Sequence, residues 1–172
     1  MQWKDKIDKN ERPVIGILSQ TLEDYMQTDT RFEGYKSYIM SSYVKYMESF
    51  GAEVVPIIVG ETDDAVLEKL EKLDGVLFPG GDGDNFDLGK FVFNQVKKFN
   101  DEGQFYPAWS TCLGYENLVA YTADAGLDSW GIYPITSASL PLAFTKDPRQ
   151  TRMFEGLQDL SWEFASHNFT YN

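Results

Sequence analysis

The sequence predicts an α/β protein built on a parallel sheet. Four short apolar runs, at 13–18, 54–59, 75–78 and 106–109, recur through the first part of the chain, and amphipathic helical stretches separate them. Strands alternating with helices of that length form a parallel sheet with right-handed crossovers. The carboxyl ends of the runs carry Ser19-Gln20, Pro79-Gly80-Gly81-Asp82 and, just past the fourth, Cys112. Sites in such sheets form at strand carboxyl ends.

Each element has its own signature. Residues 1–12 are polar and mixed in charge and are expected to form a loose arm, leaving 13–172 as one domain. Pro13-Val14-Ile15-Gly16-Ile17-Leu18 is the continuous apolar run of a central strand buried on both faces. A polar loop is expected to follow through Phe32. Residues 34–50 are expected as a helix with Tyr35, Ile39, Tyr43, Met47 and Phe50 on its inner face, widened by Met40 and Val44, and with Gly51 as its C-terminal cap. After the second strand, Thr62 is a good N-cap, with Asp63 and Asp64 favourable in the first turn. Val66, Leu67, Leu70 and Leu73 continue that helix. The third strand, 75–78, stops at Pro79-Gly80-Gly81, and a third helix is expected over 88–99. The fourth strand, Tyr106-Pro107-Ala108-Trp109, is expected to be buried and to turn at Ser110-Thr111-Cys112-Leu113-Gly114 into a fourth helix. Beyond Thr122 the pattern becomes turn-rich. Short extended pieces at 134–144 and 162–165 and a helical turn at 153–157 suggest an antiparallel insertion.

Composition narrows the partners. A formal net charge of −12 argues against nucleic acid and anionic membrane surfaces. One cysteine excludes an internal disulfide and a cysteine-rich metal site. No run approaches the length of a membrane-spanning helix. The opening MQWKDKIDKNER does not have the form of a secretory signal.

The chemistry centres on Cys112. A sharp strand-to-helix turn exposes a nucleophile at the top of a sheet. Free N–H groups of the following helix favour thiolate over thiol. A lone cysteine in a globular domain is most often a small buried apolar residue. Gly80 and Gly81 read either as a plain tight turn or as an oxyanion loop, with the Leu113 N–H as second donor. His167, the chain's one histidine, is the candidate for proton transfer or a polar residue facing substrate or solvent.

These residues resemble the γ-glutamyl hydrolases (folate polyglutamate hydrolases), cysteine hydrolases of the glutamine amidotransferase-like class. The resemblance rests on Arg12-Pro13-Val14-Ile15-Gly16-Ile17 and on Ser42-Tyr43-Val44-Lys45-Tyr46-Met47-Glu48-Ser49-Phe50-Gly51-Ala52. It continues through Gly75-Val76-Leu77-Phe78-Pro79-Gly80-Gly81 and Pro107-Ala108-Trp109-Ser110-Thr111-Cys112-Leu113-Gly114-Tyr115-Glu116 to Leu140-Pro141-Leu142-Ala143-Phe144-Thr145. It implies a flavodoxin-like three-layer sandwich and cleavage of γ-linked glutamate tails, including those of folates. Cys112 matches the family's nucleophile, Gly80 and Gly81 its oxyanion loop, Glu116 a polar position behind the nucleophile, and His167 a histidine near the substrate. Gln20, at the end of the first strand, is expected on the substrate side. No metal or organic cofactor is implied, and a homodimer or larger assembly is left open.

The family's catalytic histidine lies in a later His-Pro-Glu motif, which nothing here matches. Three expectations follow: an incomplete portion of a complete enzyme, its C-terminal part truncated; a shortened, inactive chain serving as a structural or binding subunit; or His167 itself acting as the base. An anionic substrate also calls for local cations, with Arg31, Lys36 and Arg149 as candidates. Asn168-Phe169-Thr170 fits a glycosylation sequon at Asn168. The family is often secreted, lysosomal or vacuolar, which contrasts with the opening residues.

Overall fold

The computed structural model describes residues 12–123, 126–131, 147 and 150–151. Two compact units divide the chain, Met1–Trp130 and Gly131–Asn172. All the elements named below belong to the first. The expected pieces at 134–144, 153–157 and 162–165 lie outside the described residues, as do His167, Asn168 and Arg149.

Four strands make the parallel sheet: β1 (Val14–Leu18), β4 (Glu53–Ile57), β5 (Gly75–Phe78) and β6 (Ala108–Ser110), in the order β4-β1-β5-β6. In register, Ile15 faces Val54 and Gly75, and Phe78 faces Ser110. The chain steps from β1 to one side and then to the other, so the switch point lies between β1 and β5. A single crossover hand then requires the helices before and after the reversal to lie on opposite faces. That is observed. Helix α2 (Ser41–Ser49) lays Tyr43, Val44 and Met47 on Ile15, Ile17 and Leu77. Helices α3 (Asp63–Leu70), α4 (Phe86–Asp101) and α5 (Leu113–Thr122) cover the other face, packing Val66, Leu70, Val92, Val96 and Leu118 against Leu18, Ile57, Val76 and Phe78. The three layers are those of a flavodoxin-like sandwich.

Local signals behave as the sequence suggests at several ends. The Thr62 side chain accepts from the Ala65 N–H, capping α3. At the end of α2, Gly51 adopts φ +87°. Its N–H bonds the Glu48 carbonyl and that of Ala52 bonds the Met47 carbonyl, the paired pattern of a Schellman motif.

Three expectations need correction. The helix expected from Gly34 begins only at Ser41. Gly34 sits at φ +87°, outside the right-handed helical region, and β3 (Ser37–Tyr38) pairs antiparallel with β2 (Gln20–Thr21) instead. Tyr35, Met40 and Phe50, expected on the inner face, are exposed. The polar loop after β1 is also more structured than expected, holding β2, the short helix α1 (Asp24–Gln27) and a 3-10 turn at Thr30–Phe32. The strand before Cys112 is not buried. Ala108 and Trp109 are exposed, and among the described residues β6 pairs only with β5. Tyr106 is buried, but as an anchor ahead of the strand. Its hydroxyl donates to the Leu70 carbonyl, and Asn100 brackets its backbone. Among the described residues, no helix is long and apolar enough to cross a membrane.

The exposure of Phe50 gives a direct check. Phe50→Ala loses an edge contact with Tyr46 and is expected to cost under about 1 kcal/mol. Phe78→Ala, which opens the core at 2% exposure, is expected to cost about 3–5 kcal/mol. Urea denaturation of the two variants should rank them in that order.

Candidate active site

The site forms where β1, β5 and β6 end together, beside the switch point. β6 delivers Ser110 and Thr111, and the Thr111 N–H still bonds the Phe78 carbonyl at 3.1 Å. The chain then turns sharply at Cys112, with φ 53° and ψ −123°. Among the described residues it is the only non-glycine with positive φ. Such a conformation costs on the order of 1–3 kcal/mol and persists only where the surroundings impose it. Here the first turn of α5 imposes it. The N–H groups of Tyr115 and Glu116 both bond the Cys112 carbonyl, at 2.8 and 3.1 Å, and that of Gly114 bonds the Thr111 carbonyl. Cys112 is exposed, not packed in the core.

Missing side chains make the corner possible. A Cβ on Gly80 would lie 2.7 Å from the Cys112 Cβ and 2.8 Å from the Tyr43 hydroxyl. A Cβ on Gly114 would overlap the Phe78 carbonyl, and one on Gly81, already at φ +142°, would overlap the Gln20 carboxamide. Backbone N–H groups near the sulfur are accounted for in turn. Gly80 donates to the Tyr43 hydroxyl at 2.8 Å, so its N–H is occupied. Among the described residues, the N–H groups of Gly81 and Leu113 have no hydrogen-bond partner.

The loop carrying Gly80 and Gly81 is held from below. Thr21 donates to the Asp84 carbonyl at 2.9 Å, and its hydroxyl accepts the Asp84 N–H at 2.8 Å. Gln20 is 2% exposed. Its carboxamide oxygen is placed 3.2 Å from the Tyr38 hydroxyl, with its nitrogen buried and unpartnered. The Tyr38 hydroxyl has one hydrogen, and the Glu23 carboxylate takes it. That oxygen can then only accept from Gln20. Turning the amide so that its NH₂ meets Tyr38 supplies the orphaned donor with a partner, and we assign that orientation. Burial, then the Glu23 carboxylate, pushes the Tyr38 hydroxyl's pKa well up, so it stays a donor.

A second network lies behind the elbow. Asn85, at the N-terminus of α4, makes no side-chain cap. Its Nδ2 donates to the Ser19 carbonyl at 3.4 Å, and its Oδ1 accepts from Asn117 Nδ2 at 3.2 Å. Ser19 Oγ accepts the Val59 N–H. The ends of β1 and β4 and the starts of α4 and α5 are thereby tied together.

Of the residues singled out by sequence, Cys112, Gly80, Gly81, Leu113 and Gln20 meet here, and Glu116 lies one helical turn beyond Cys112, half-buried. Arg31 is drawn to Asp29, 2.5 Å away, in a surface ion pair, and Lys36 is exposed. Sequence reasoning missed Tyr43 as the partner of Gly80, Tyr38 and Glu23 beneath Gln20, and the Asn85–Asn117 pair. The faint available signal was Asn117, a polar residue at a buried position of α5.

Residues 13–102 match the model of the family described as Peptidase C26. The chain is 38% identical over 170 residues to a γ-glutamyl hydrolase of Rattus norvegicus, covering 95% of this chain and 51% of the relative. To the γ-glutamyl hydrolase of Homo sapiens it is 31% identical over 186 residues, covering 96% and 56%. To the probable γ-glutamyl hydrolase 3 of Arabidopsis thaliana it is 39% identical over 120 residues, covering 63% and 34%. The chain spans about half the length of the rat and human relatives.

The close approach at Gly114 is testable by stability. Gly114→Ala forces a Cβ onto the Phe78 backbone and is expected to cost about 3 kcal/mol or more. Gly103→Ala, at φ +91° with open space around it, is expected to cost only about 1–2 kcal/mol. Thermal denaturation of the pair distinguishes a steric requirement at the elbow from a general intolerance of alanine.

Proposed function

The chain belongs to the Peptidase C26 family, and from that premise we propose that it is a cysteine hydrolase of γ-glutamyl amide bonds, folate poly-γ-glutamates among them. The observation that carries this reading is the exposed Cys112, held at positive φ beside two unspent backbone N–H groups.

In the proposed reaction the Cys112 thiolate attacks the γ-carbonyl carbon. The carbonyl oxygen becomes an oxyanion and takes hydrogen bonds from the Gly81 and Leu113 N–H groups. Such fixed donors are each worth about 10²–10³ in rate. Gly80 contributes by lacking a side chain, which keeps the approach to the sulfur clear. Its N–H, tied to Tyr43, holds the loop rather than the substrate. The C–N bond breaks as the departing amine nitrogen gains a proton, leaving a thioester on Cys112. Water then adds to the thioester carbonyl, and the γ-carboxylate leaves with the thiol restored. Glu116 is assigned to the substrate side, whereas Gln20, buried beneath Gly81, is assigned to support of that loop. His167, the chain's one histidine, is assigned to proton transfer or substrate contact.

Two measurements test this. Cys112→Ala is expected to lower turnover of a γ-glutamyl peptide by more than about 10³-fold, with an unchanged denaturation curve. Retained turnover would remove the nucleophile assignment. Independently of turnover, 6-diazo-5-oxonorleucine, a γ-glutamyl diazoketone, is expected to alkylate Cys112 with loss of N₂, giving one adduct by intact mass and none in Cys112→Ser. Free alkylation by iodoacetamide with no diazoketone adduct would show a reactive thiol without a γ-glutamyl site.

A further inference from the structure

Beside Leu113 lies a cavity of about 280 Å³. Asp82, Asp84, Phe86, Asn117, Leu127 and Trp130 line it. Its size falls just below the range of about 300–1,000 Å³ typical of small-molecule sites, so it suits a small ligand. Its walls are apolar and aromatic. The Trp130 ring is fixed by an Nε1–H donated to the Glu116 carbonyl at 3.0 Å.

The polar side chains there share one character. Asn85 Nδ2 is committed to a carbonyl, that of Ser19, so its Oδ1 must face Asn117. Asn117 must therefore present its NH₂ to Asn85. The Asn117 carbonyl oxygen is the atom left over, with no partner among the described residues, on a residue 3% exposed. Asp82 and Asp84 add carboxylates, of which Asp84 spends one oxygen on the Phe86 N–H. Among the described residues, no lysine, arginine or histidine lines the space. The side chains thus offer acceptors and negative charge above an indole and a phenyl ring, an arrangement that attracts an ammonium and repels a carboxylate.

We propose that this cavity binds a small primary ammonium carrying an apolar, ring-sized body. The ammonium meets Asn117 Oδ1 and the Asp82 carboxylate, and the body lies against Phe86, Leu127 and Trp130. Leu113 lines the space as well. Binding itself needs no turnover, and its outcome is separate from that of the hydrolase reading.

Isothermal titration calorimetry of the full chain at neutral pH provides the test. Benzylamine, protonated there, is the probe, and phenylacetate, the same body with opposite charge, is the control. Saturable benzylamine binding without phenylacetate binding is expected. Asp82→Asn should weaken benzylamine about fivefold, and Trp130→Leu should weaken it further. Asp82 lies on an exposed loop, so its variant is expected to fold, and Cys112→Ala should leave the affinity unchanged. The proposal is overturned if phenylacetate binds as well as benzylamine, if benzylamine does not bind, or if neither substitution changes its affinity.

Discussion

The elbow depends on how closely one helix end can approach one strand end. The Phe78 carbonyl at the tip of β5 accepts from Thr111, and the space beside it would be filled by a Cβ on Gly114. A Cβ on Gly80, two residues past the same strand tip, would lie 2.7 Å from the Cys112 Cβ. With hydrogen at both positions, β6 can stay paired through Ser110 and α5 can begin two residues after Thr111 to Leu113. No room remains for a relaxed linker, so the residue between strand and helix takes the strained conformation. Close packing of the kind found in protein interiors transmits such a constraint, because neighbouring groups cannot yield independently.

That contact would be of little use on a loose loop, and two polar networks prevent looseness. Below Gly81 the β2–β3 ribbon supplies Thr21, Gln20 and Tyr38. Below Asn85 the end of β1 supplies Ser19. Each network contains a buried amide whose orientation follows from counting hydrogens. Buried polar groups of this kind are costly when unsatisfied and rigidifying when satisfied. The five residues from Gly80 to Asp84 are consequently held at both ends by side chains that come from before β4, although they follow β5 in sequence.

Much of this was legible in the sequence, and the reasons for the rest are specific. The apolar runs marked the strands because burial on two faces demands continuous hydrophobicity, as in Val14–Leu18 and Gly75–Phe78. Cys112 was legible because small residues before a helical pattern are the local requirement of an elbow. The start of α2 was not, since Tyr35, Ile39 and Tyr43 keep helical spacing whether or not 34–40 is helical. Only the left-handed Gly34 and the pairing of Ser37–Tyr38 decide it, and a two-residue strand is too short to show periodicity. Trp109 looked buried because aromatic residues usually are, but β6 gains a partner on one side only among the described residues. The Tyr43–Gly80 and Asn117–Asn85 bonds span 37 and 32 residues. They leave no local pattern.

The strongest argument for a reaction centre is the distribution of N–H groups rather than the cysteine. Backbone donors in folded proteins are nearly always paired. Around Cys112 those of Thr111, Gly114, Tyr115, Glu116 and Gly80 are paired. Among the described residues those of Gly81, Cys112 and Leu113 are not, and Gly81 and Leu113 come from different chain segments, the loop after β5 and the first residue of α5. Gly81 sits at φ +142°, and its N–H has no partner among the described residues. A donor carried by the backbone of an ordered turn is fixed in direction before any substrate arrives. An oxygen that becomes negative beside it gains the hydrogen bond without reorganising the protein.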